Sequence, residues 1–300
     1  MPRPDTSRPQ ICDYEGSNYR TEFWESSGRV YEDQVERLAL RKLLPAAGGR
    51  RLLEIGAGFG RLTGEYARYD QVVLLDYSLS QLQYAQEQLG RSSRFIYVAA
   101  DAYRLPFRPG VFDGATMIRV LHHMADPAAV LTQVRRCLAP DATFILEHAN
   151  KRNLKSMLRY ALKKQTWNPH TQEPVEFVEL NFDFHPEHIR RLLRETGFDL
   201  RQRIPVSYLR VEWLKENLPT GLLVGIDAIM QHSHLLYAPS IFTKSIAQSG
   251  TANHLTAETI FASPNGGGEL VIEDDVIRCK QSGQQWQIRD GIYDFKAPLD

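Results

Sequence analysis

Leu52-Leu53-Glu54-Ile55-Gly56-Ala57-Gly58-Phe59-Gly60-Arg61 decides the fold. An apolar run leads into three glycines at alternate positions and then into residues that read as a helix. In such a strand–turn–helix corner, glycines let the backbone approach a ligand and the helix N-terminus offers free N–H groups. Any nucleotide-like ligand can use it. The dinucleotide fingerprint, however, is G-x-G-x-x-G with pyrophosphate on the helix end. Here Gly60 comes one residue early and Arg61 takes the expected place. Glu54 closes the strand two residues before the first glycine. A carboxylate there repels pyrophosphate and suits a ligand carrying cationic ammonium and sulfonium groups.

Working outward, the chain alternates between two periods. Val35, Leu38, Leu43 and Leu44 form a helical stripe that stops near Pro45 and Gly48-Gly49. Arg51 to Ile55 reads as a buried strand, Arg61 to Tyr69 as a helix and Gln71 to Asp76 as a second buried strand. Ser78 to Leu89 follows as a helix. Strands are expected at Phe95 to Ala99, Phe112 to Ile118 and Thr143 to Glu147. Asp126-Pro127 caps a helix whose stripe is Val130, Leu131, Val134 and Leu138. This alternation predicts an α/β fold with a mostly parallel sheet and helices on both faces. After Asn150 it breaks. Residues 151–184 and 209–238 read as insertions around a helix from His185 to Gly197 and strands at Phe198 to Tyr208 and Ser240 to Ile246.

Two further acids follow Glu54 in order. Asp76 ends the second strand, where a carboxylate can accept both hydroxyls of a ribose. Asp101, in Ala100-Asp101-Ala102, follows the third strand, where it can accept from an adenine amino group while the next N–H donates to the ring. Taken singly, Asp76 is also a strand-end cap and Asp101 an ordinary turn residue.

Together E-I-G-A-G-F-G-R, L-L-D-Y-S, A-A-D-A and F-D-G-A-T-M-I-R-V-L-H-H-M resemble the class I S-adenosylmethionine-dependent methyltransferases, in that family's order and spacing. The likeness covers Glu32 to Glu147 well, reaches about residue 247 weakly, and is nearest the members acting on quinones and other small molecules. It implies a Rossmann-like, seven-stranded sheet with a reversed last hairpin, and S-adenosyl-L-methionine as cofactor. It implies that Glu54, Gly56, Ala57, Gly58 and Gly60 line the methionine end, that Asp76 binds ribose with Tyr77 beside the adenosine, and that Asp101 and Ala102 hold adenine. Ile118 and Arg119 are implied to lie beside the sulfonium. Methyl transfer is an in-line displacement that needs alignment and exclusion of water but no metal. His122 and His123, after the fourth strand, are the candidate catalytic residues, since histidine can take a proton near neutral pH; a loop-anchoring or packing role is the alternative.

Aromatic residues cluster in two further places. Tyr14, Tyr19, Trp24, Arg29 and Tyr31 lie in or beside an N-terminal arm (1–30) and either close over the cofactor or pack on the sheet edge. Trp167, His170, Phe177, Phe182, Phe184, His185, Tyr208 and Trp213 fall in the second half, where an aromatic-rich insertion suits an apolar or planar acceptor.

Residues 251–300 differ in character. Ile277-Arg278-Cys279-Lys280-Gln281-Ser282-Gly283 and Trp286 to Phe295 resemble a small zinc ribbon of the kind that serves as activator subunit of certain tRNA, rRNA and release-factor methyltransferases. The ribbon's cysteine pairs fall at Ser263 and Gly266 and at Cys279 and Ser282, leaving one ligand where a structural site normally needs four. The expectation is a β-rich appendage without metal, held by Leu270, Ile277, Trp286, Ile288 and Phe295. The main domain then spans 31–250.

Lys+Arg and Asp+Glu both number 36. A neutral chain has no global pull toward nucleic acid or anionic membrane. The base-rich stretch from Lys151 to Lys164 reads as a solvated helix face. Three distant cysteines, Cys12, Cys137 and Cys279, suggest no disulfide framework and a reduced, cytoplasmic setting. No apolar run is long enough to span a bilayer. The leading expectation is an enzyme methylating a small-molecule acceptor. The alternatives are an RNA or protein methyltransferase with a fused activator-like tail, a cofactor-binding scaffold without catalysis, and an NAD oxidoreductase, against which the glycine spacing counts.

Overall fold

The computed structural model describes residues 11–12, 15–16, 28–249 and 253–299. Tyr14, Tyr19 and Trp24 lie outside them. Helix α1 (Val30–Leu43) is followed by β1 (Gly49–Ile55), β2 (Tyr69–Asp76), α2 (Leu79–Leu89), β3 (Phe95–Ala99), β4 (Phe112–Met117), α3 (Pro127–Cys137) and β5 (Leu138–Ala149). Next come α4 (Leu154–Ala161), the small hairpin β6 (Val175–Val178) and β7 (Asn181–Asp183), then α5 (Pro186–Glu195), β8 (Phe198–Val206), α6 (Glu212–Asn217), α7 (Thr220–Met230) and β9 (Ser240–Ala247). Four tail strands complete the chain: β10 (Leu270–Glu273), β11 (Val276–Cys279), β12 (Gln285–Arg289) and β13 (Ile292–Asp294).

β3, β2, β1, β4 and β5 run parallel, and β9 and β8 add a reversed hairpin at one edge. This is the expected Rossmann-like core of seven strands. Strand side chains alternate between faces, so the sheet serves two cores. Leu53, Ile55, Val73 and Leu75 pack on one side with α3 residues Val130, Leu131 and Val134. Leu52, Val72 and Leu74 pack on the other with α1 residues Val35, Ala39 and Leu40. The register pairs Ile55 with Leu75 and Asp76 with Ala99. The carboxyl ends of β1, β2 and β3 therefore finish at one level, where open α/β sheets bind their ligands.

Several helix ends follow their local chemistry. Ser78 caps α2 by accepting from the Gln81 N–H, and Asp126 caps α3 by accepting from the Ala129 N–H. His185 does the same for α5, and Gly197 then turns the chain at φ 84°.

The structure departs from the sequence reading in three places. Arg61 to Tyr69 is not a helix; only a 3-10 turn, Thr63–Tyr66, forms, and β2 already begins at Tyr69. Gly60 (φ 77°) and Gly64 weaken the segment, and Arg61 is drawn to Asp33 and Glu36 of α1. β5 is longer than expected, starting directly at the end of α3. The tail contains a strand, β13, that no sequence signal announced. It pairs in parallel with β3, so the tail strands continue the main sheet to eleven. Phe261 and Trp286 anchor the tail: Phe261 stacks on Phe107 at 5.8 Å, and Trp286 lies 5.7 Å from Phe295.

Candidate active site

The corner after β1 opens onto a cleft with two lobes. One, of about 810 Å³, is lined by Asp76, Tyr77, Asp101 and Ala102 among others; the second, of about 470 Å³, by Glu54, Ala57, Phe59, Arg61 and Ile118. Both share Ile55, Gly56, Gly58 and Arg119.

The glycines do different work. A Cβ on Gly56 would sit 2.0 Å from Val120 Cγ2, so the β4 loop leaves no room for one. A Cβ on Gly58 would meet nothing within 4 Å, and Gly58 lines both lobes. Gly60, implied to line the methionine end, instead packs toward Leu89 and Ala85 of α2 and does not line either lobe.

Asp76 braces the corner. Its Oδ2 accepts from the Gly58 N–H at 2.8 Å and its Oδ1 from the Ser78 N–H at 2.9 Å. Asp101 is turned partly into its own loop: Oδ1 accepts from the Tyr103 N–H at 2.8 Å and Oδ2 lies 3.5 Å from Arg104. Tyr77 lines the larger lobe, and the ammonium of Lys296 lies over its ring, 5.4 Å from the centroid, so the tail touches a residue of this lobe. Ile11 and Cys12 of the N-terminal arm line it too. Tyr31, by contrast, is a packing residue, donating to Asp227 at 2.7 Å and accepting from Leu209 N–H.

Glu54 sits at the floor of the second lobe, 5% exposed, accepting from Thr63 Oγ1 at 2.6 Å. Burial pushes its carboxyl up to about 7. A buried acid that makes no ion pair among the described residues, though the Arg61 charge acts on it, fits a cationic ligand group, and the open space at Gly58 fits a ligand running from one lobe to the other. The lining therefore fits a ligand such as S-adenosylmethionine, which carries a cationic amino-acid end and a ribose.

Beyond Arg119 lies a network of charges that motif reading missed. Arg119 adopts a left-handed backbone (φ 60°). Its N–H donates to Glu147 Oε2 at 2.9 Å and its guanidinium to Glu36 Oε1. Glu36 also accepts from Arg61. Burial would raise the Glu36 carboxyl, but the Arg119 and Arg61 guanidiniums outweigh it and hold it at about 2. Arg210 is different: its Nε and Nη2 are buried and have no hydrogen-bond partner among the described residues, with Glu32 Oε1 3.9 Å away. Glu36, Glu147 and Arg210 come from α1, β5 and the segment after β8, so only packing assembles them; no local motif signals them.

His122 and His123 lie beside this network, with ring centroids 4.0 Å apart. Burial drives both well toward the neutral form, and the neighbouring His123, Arg119 and Arg210 add to it for His122. His123 lines the larger lobe, and its Nδ1 lies 3.0 Å from the Leu180 carbonyl oxygen of the β6–β7 hairpin. Of the second-half aromatics, Phe184 is buried and Phe182 packs against the same core, whereas Phe177 and Trp213 are exposed. At the ribbon positions, Cys279 takes hydrogen bonds from Ser282 and Ser263. Among the described residues no cluster of three His, Cys, Asp or Glu forms a metal-binding group, and no helix is long and apolar enough to cross a membrane.

An α/β sheet of this order, with acids at the ends of three successive strands around a glycine corner, defines the class I methyltransferase fold. Residues 53–146 match the methyltransferase domain family, so this part of the chain is a class I methyltransferase domain, whose cofactor is S-adenosylmethionine. It is 30% identical to 27-O-demethylrifamycin SV methyltransferase of Amycolatopsis mediterranei, across 44% of this chain and 51% of that one. It is 30% identical to O-methyltransferase resE of Aspergillus sclerotiorum, across 59% and 66% respectively. The chain spans about half to two thirds of the length of such relatives. Among solved structures, the [4+2]-cyclase SpnF superposes with a TM-score of 0.53 at 20% identity, covering 76% of this chain and 87% of that one. A SAM-dependent methyltransferase of Thermotoga maritima gives 0.50 at 17%, covering 76% and 95%. At these identities the structural likeness is one of fold.

Proposed function

We propose that this protein transfers the methyl group of S-adenosylmethionine to an oxygen of a small, apolar or aromatic acceptor. The two-lobed cleft carries the reading: it places a buried acid at one end, two acids at the other, and the shared Ile55, Gly56, Gly58 and Arg119 between them. The oxygen-methylating relatives support the choice of acceptor atom. The cofactor supplies an activated methyl on a good leaving group, so the chain's task is alignment and exclusion of water. Gly56 and Gly58 bring the backbone against the ligand, and Glu54 and Asp76 fix its two ends. The Arg119 backbone, held by Glu147, shapes the seam between the lobes. His123, which lines the larger lobe with its Nδ1 3.0 Å from the Leu180 carbonyl oxygen, is the group assigned to take the acceptor's hydroxyl proton.

Calorimetric titration with S-adenosylhomocysteine tests the reading, beside Asp76→Ala and an NADH control. Saturable binding that the substitution weakens, with no NADH binding, is the expected result; a folded protein that ignores S-adenosylhomocysteine overturns it. A second reading, an RNA or protein methyltransferase with the tail as built-in activator, draws on the β13–β3 pairing and on Lys296 over Tyr77. It requires salt-dependent RNA binding or methylation of a protein substrate.

A further inference from the structure

Helix α4 turns its apolar side to solvent. Leu154 and Leu158 stand one turn apart, with Leu162 at the helix end, and they are 55%, 60% and 55% exposed. The inward position belongs to a serine, Ser156, at 8%. An amphipathic helix on a globular core does the reverse. At 3.6 residues per turn, Lys155 and Arg159 fall on one flank of the leucine stripe, both exposed, and exposed Lys163 and Lys164 follow. No Asp or Glu occurs from Lys151 to Gln172. The solvated basic face expected from the sequence is therefore only half of this helix. Lys151 is not part of that face at all; it is buried, its ammonium donating to the Thr171 and Glu173 carbonyls. Downstream, the β6–β7 hairpin carries Phe177 and Val178, 57% and 59% exposed.

We propose that α4 lies in the surface of an anionic bilayer, with its three leucines among the acyl chains and its basic flank on the lipid phosphates. Exposed apolar stripes mark interaction surfaces. A stripe edged by Lys and Arg alone matches the interfacial helix, which combines apolar burial with attraction to anionic headgroups. Nucleic acid would satisfy the bases and leave the leucines in water. Two copies joined symmetrically stripe to stripe would bring Lys155 and Arg159 against their own counterparts, where like charges repel. The neutral charge of the whole chain is no objection, because the bases are segregated on one short element. The same insertion touches the cleft through Leu180 and His123, so a bilayer-bound α4 would hold the acceptor side of the site near a source of apolar molecules. The membrane contact itself does not depend on methyl transfer.

Vesicle flotation of the full chain tests this, using phosphatidylcholine vesicles with and without phosphatidylglycerol. The wild type is expected to float with the anionic vesicles and not with phosphatidylcholine alone. Leu158→Glu is expected to weaken binding about tenfold or more. The double variant Lys155→Glu, Arg159→Glu should weaken it about tenfold and flatten its salt dependence. All three side chains are exposed, so melting temperatures should match the wild type. The proposal is overturned by wild type that stays unbound with anionic vesicles, or by Leu158→Glu that binds equally well. A dimer that Leu158→Glu dissociates, or RNA binding that survives it, in either case without vesicle binding, also overturns it.

Discussion

At the scale of single residues, the glycine corner separates shape from function. Gly56→Ala drives a methyl into Val120 and should destabilise the fold by about 1–3 kcal/mol, read as a lower melting temperature. Gly58→Ala meets open space, so its cost is the left-handed backbone, about 1 kcal/mol. Its larger effect should be loss of S-adenosylhomocysteine binding, because the methyl occupies the cleft. Glu54 makes ligand binding pH-dependent. Burial sets its carboxyl at about 7 despite the nearby Arg61 guanidinium, and a bound ammonium lowers that value further, so binding releases a proton and tightens as pH rises toward 7. Calorimetry in buffers of different ionisation enthalpy measures the release; Glu54→Gln should abolish it and weaken binding at pH 8 by about tenfold. Arg210 carries buried N–H groups without hydrogen-bond partners among the described residues. Arg210→Met should raise the melting temperature, by the equivalent of about 1 kcal/mol or more; a fall would show instead that its approach to Glu32 is stabilising.

Among the elements, β1, β2, β3 and β4 were legible because a central parallel strand is apolar on both faces and ends in a polar turn. The caps of α2, α3 and α5 were legible because serine, aspartate and an N1 proline leave local signatures. The segment after Gly60 misled because its stripe is helical while its glycines and the pull of α1 on Arg61 are not. β13 is three residues long and apolar only at Ile292 and Tyr293; pairing with β3, remote in sequence, makes it a strand. That pairing ties the tail to the wall of the larger lobe, since the Phe295 N–H donates to the Ala99 carbonyl at 2.7 Å, two residues before Asp101. Lys296→Ala should therefore weaken S-adenosylhomocysteine binding by about 0.5–1 kcal/mol without altering the fold. Trp286→Ala, which empties the tail's core, should cost about 3–5 kcal/mol in stability.

Over the whole molecule, equal numbers of acids and bases conceal two segregated groups: the buried network around Arg119 and the basic flank of α4. Buried titratable groups also limit the pH range of the fold from both sides. Burial lowers His148 to about 4, so its contribution is complete above the ordinary histidine value near 6.5 and is lost as pH falls toward 4. Burial raises Asp183 to about 6 and Glu54 to about 7, so theirs is complete below their ordinary values and is lost as pH rises through 6 and 7. Above about pH 6.5 only the loss from the raised acids remains, so the melting temperature of the free protein should fall as pH rises from there through 7. S-adenosylhomocysteine should raise it more at pH 8 than at pH 6, because the ligand's ammonium compensates an ionised Glu54.

The sequence by itself determined the class of fold, the order of the three strand-end acids and the glycine corner, because these depend on periodicity and on residues close together in the chain. Only the tertiary structure decided the rest. It set Gly60 against α2 instead of the cleft, joined the tail to β3, gathered Glu36, Glu147 and Arg210 around Arg119, and turned the leucines of α4 outward. Each of these depends on which surface meets which, and packing across the sheet settles that between residues remote in sequence.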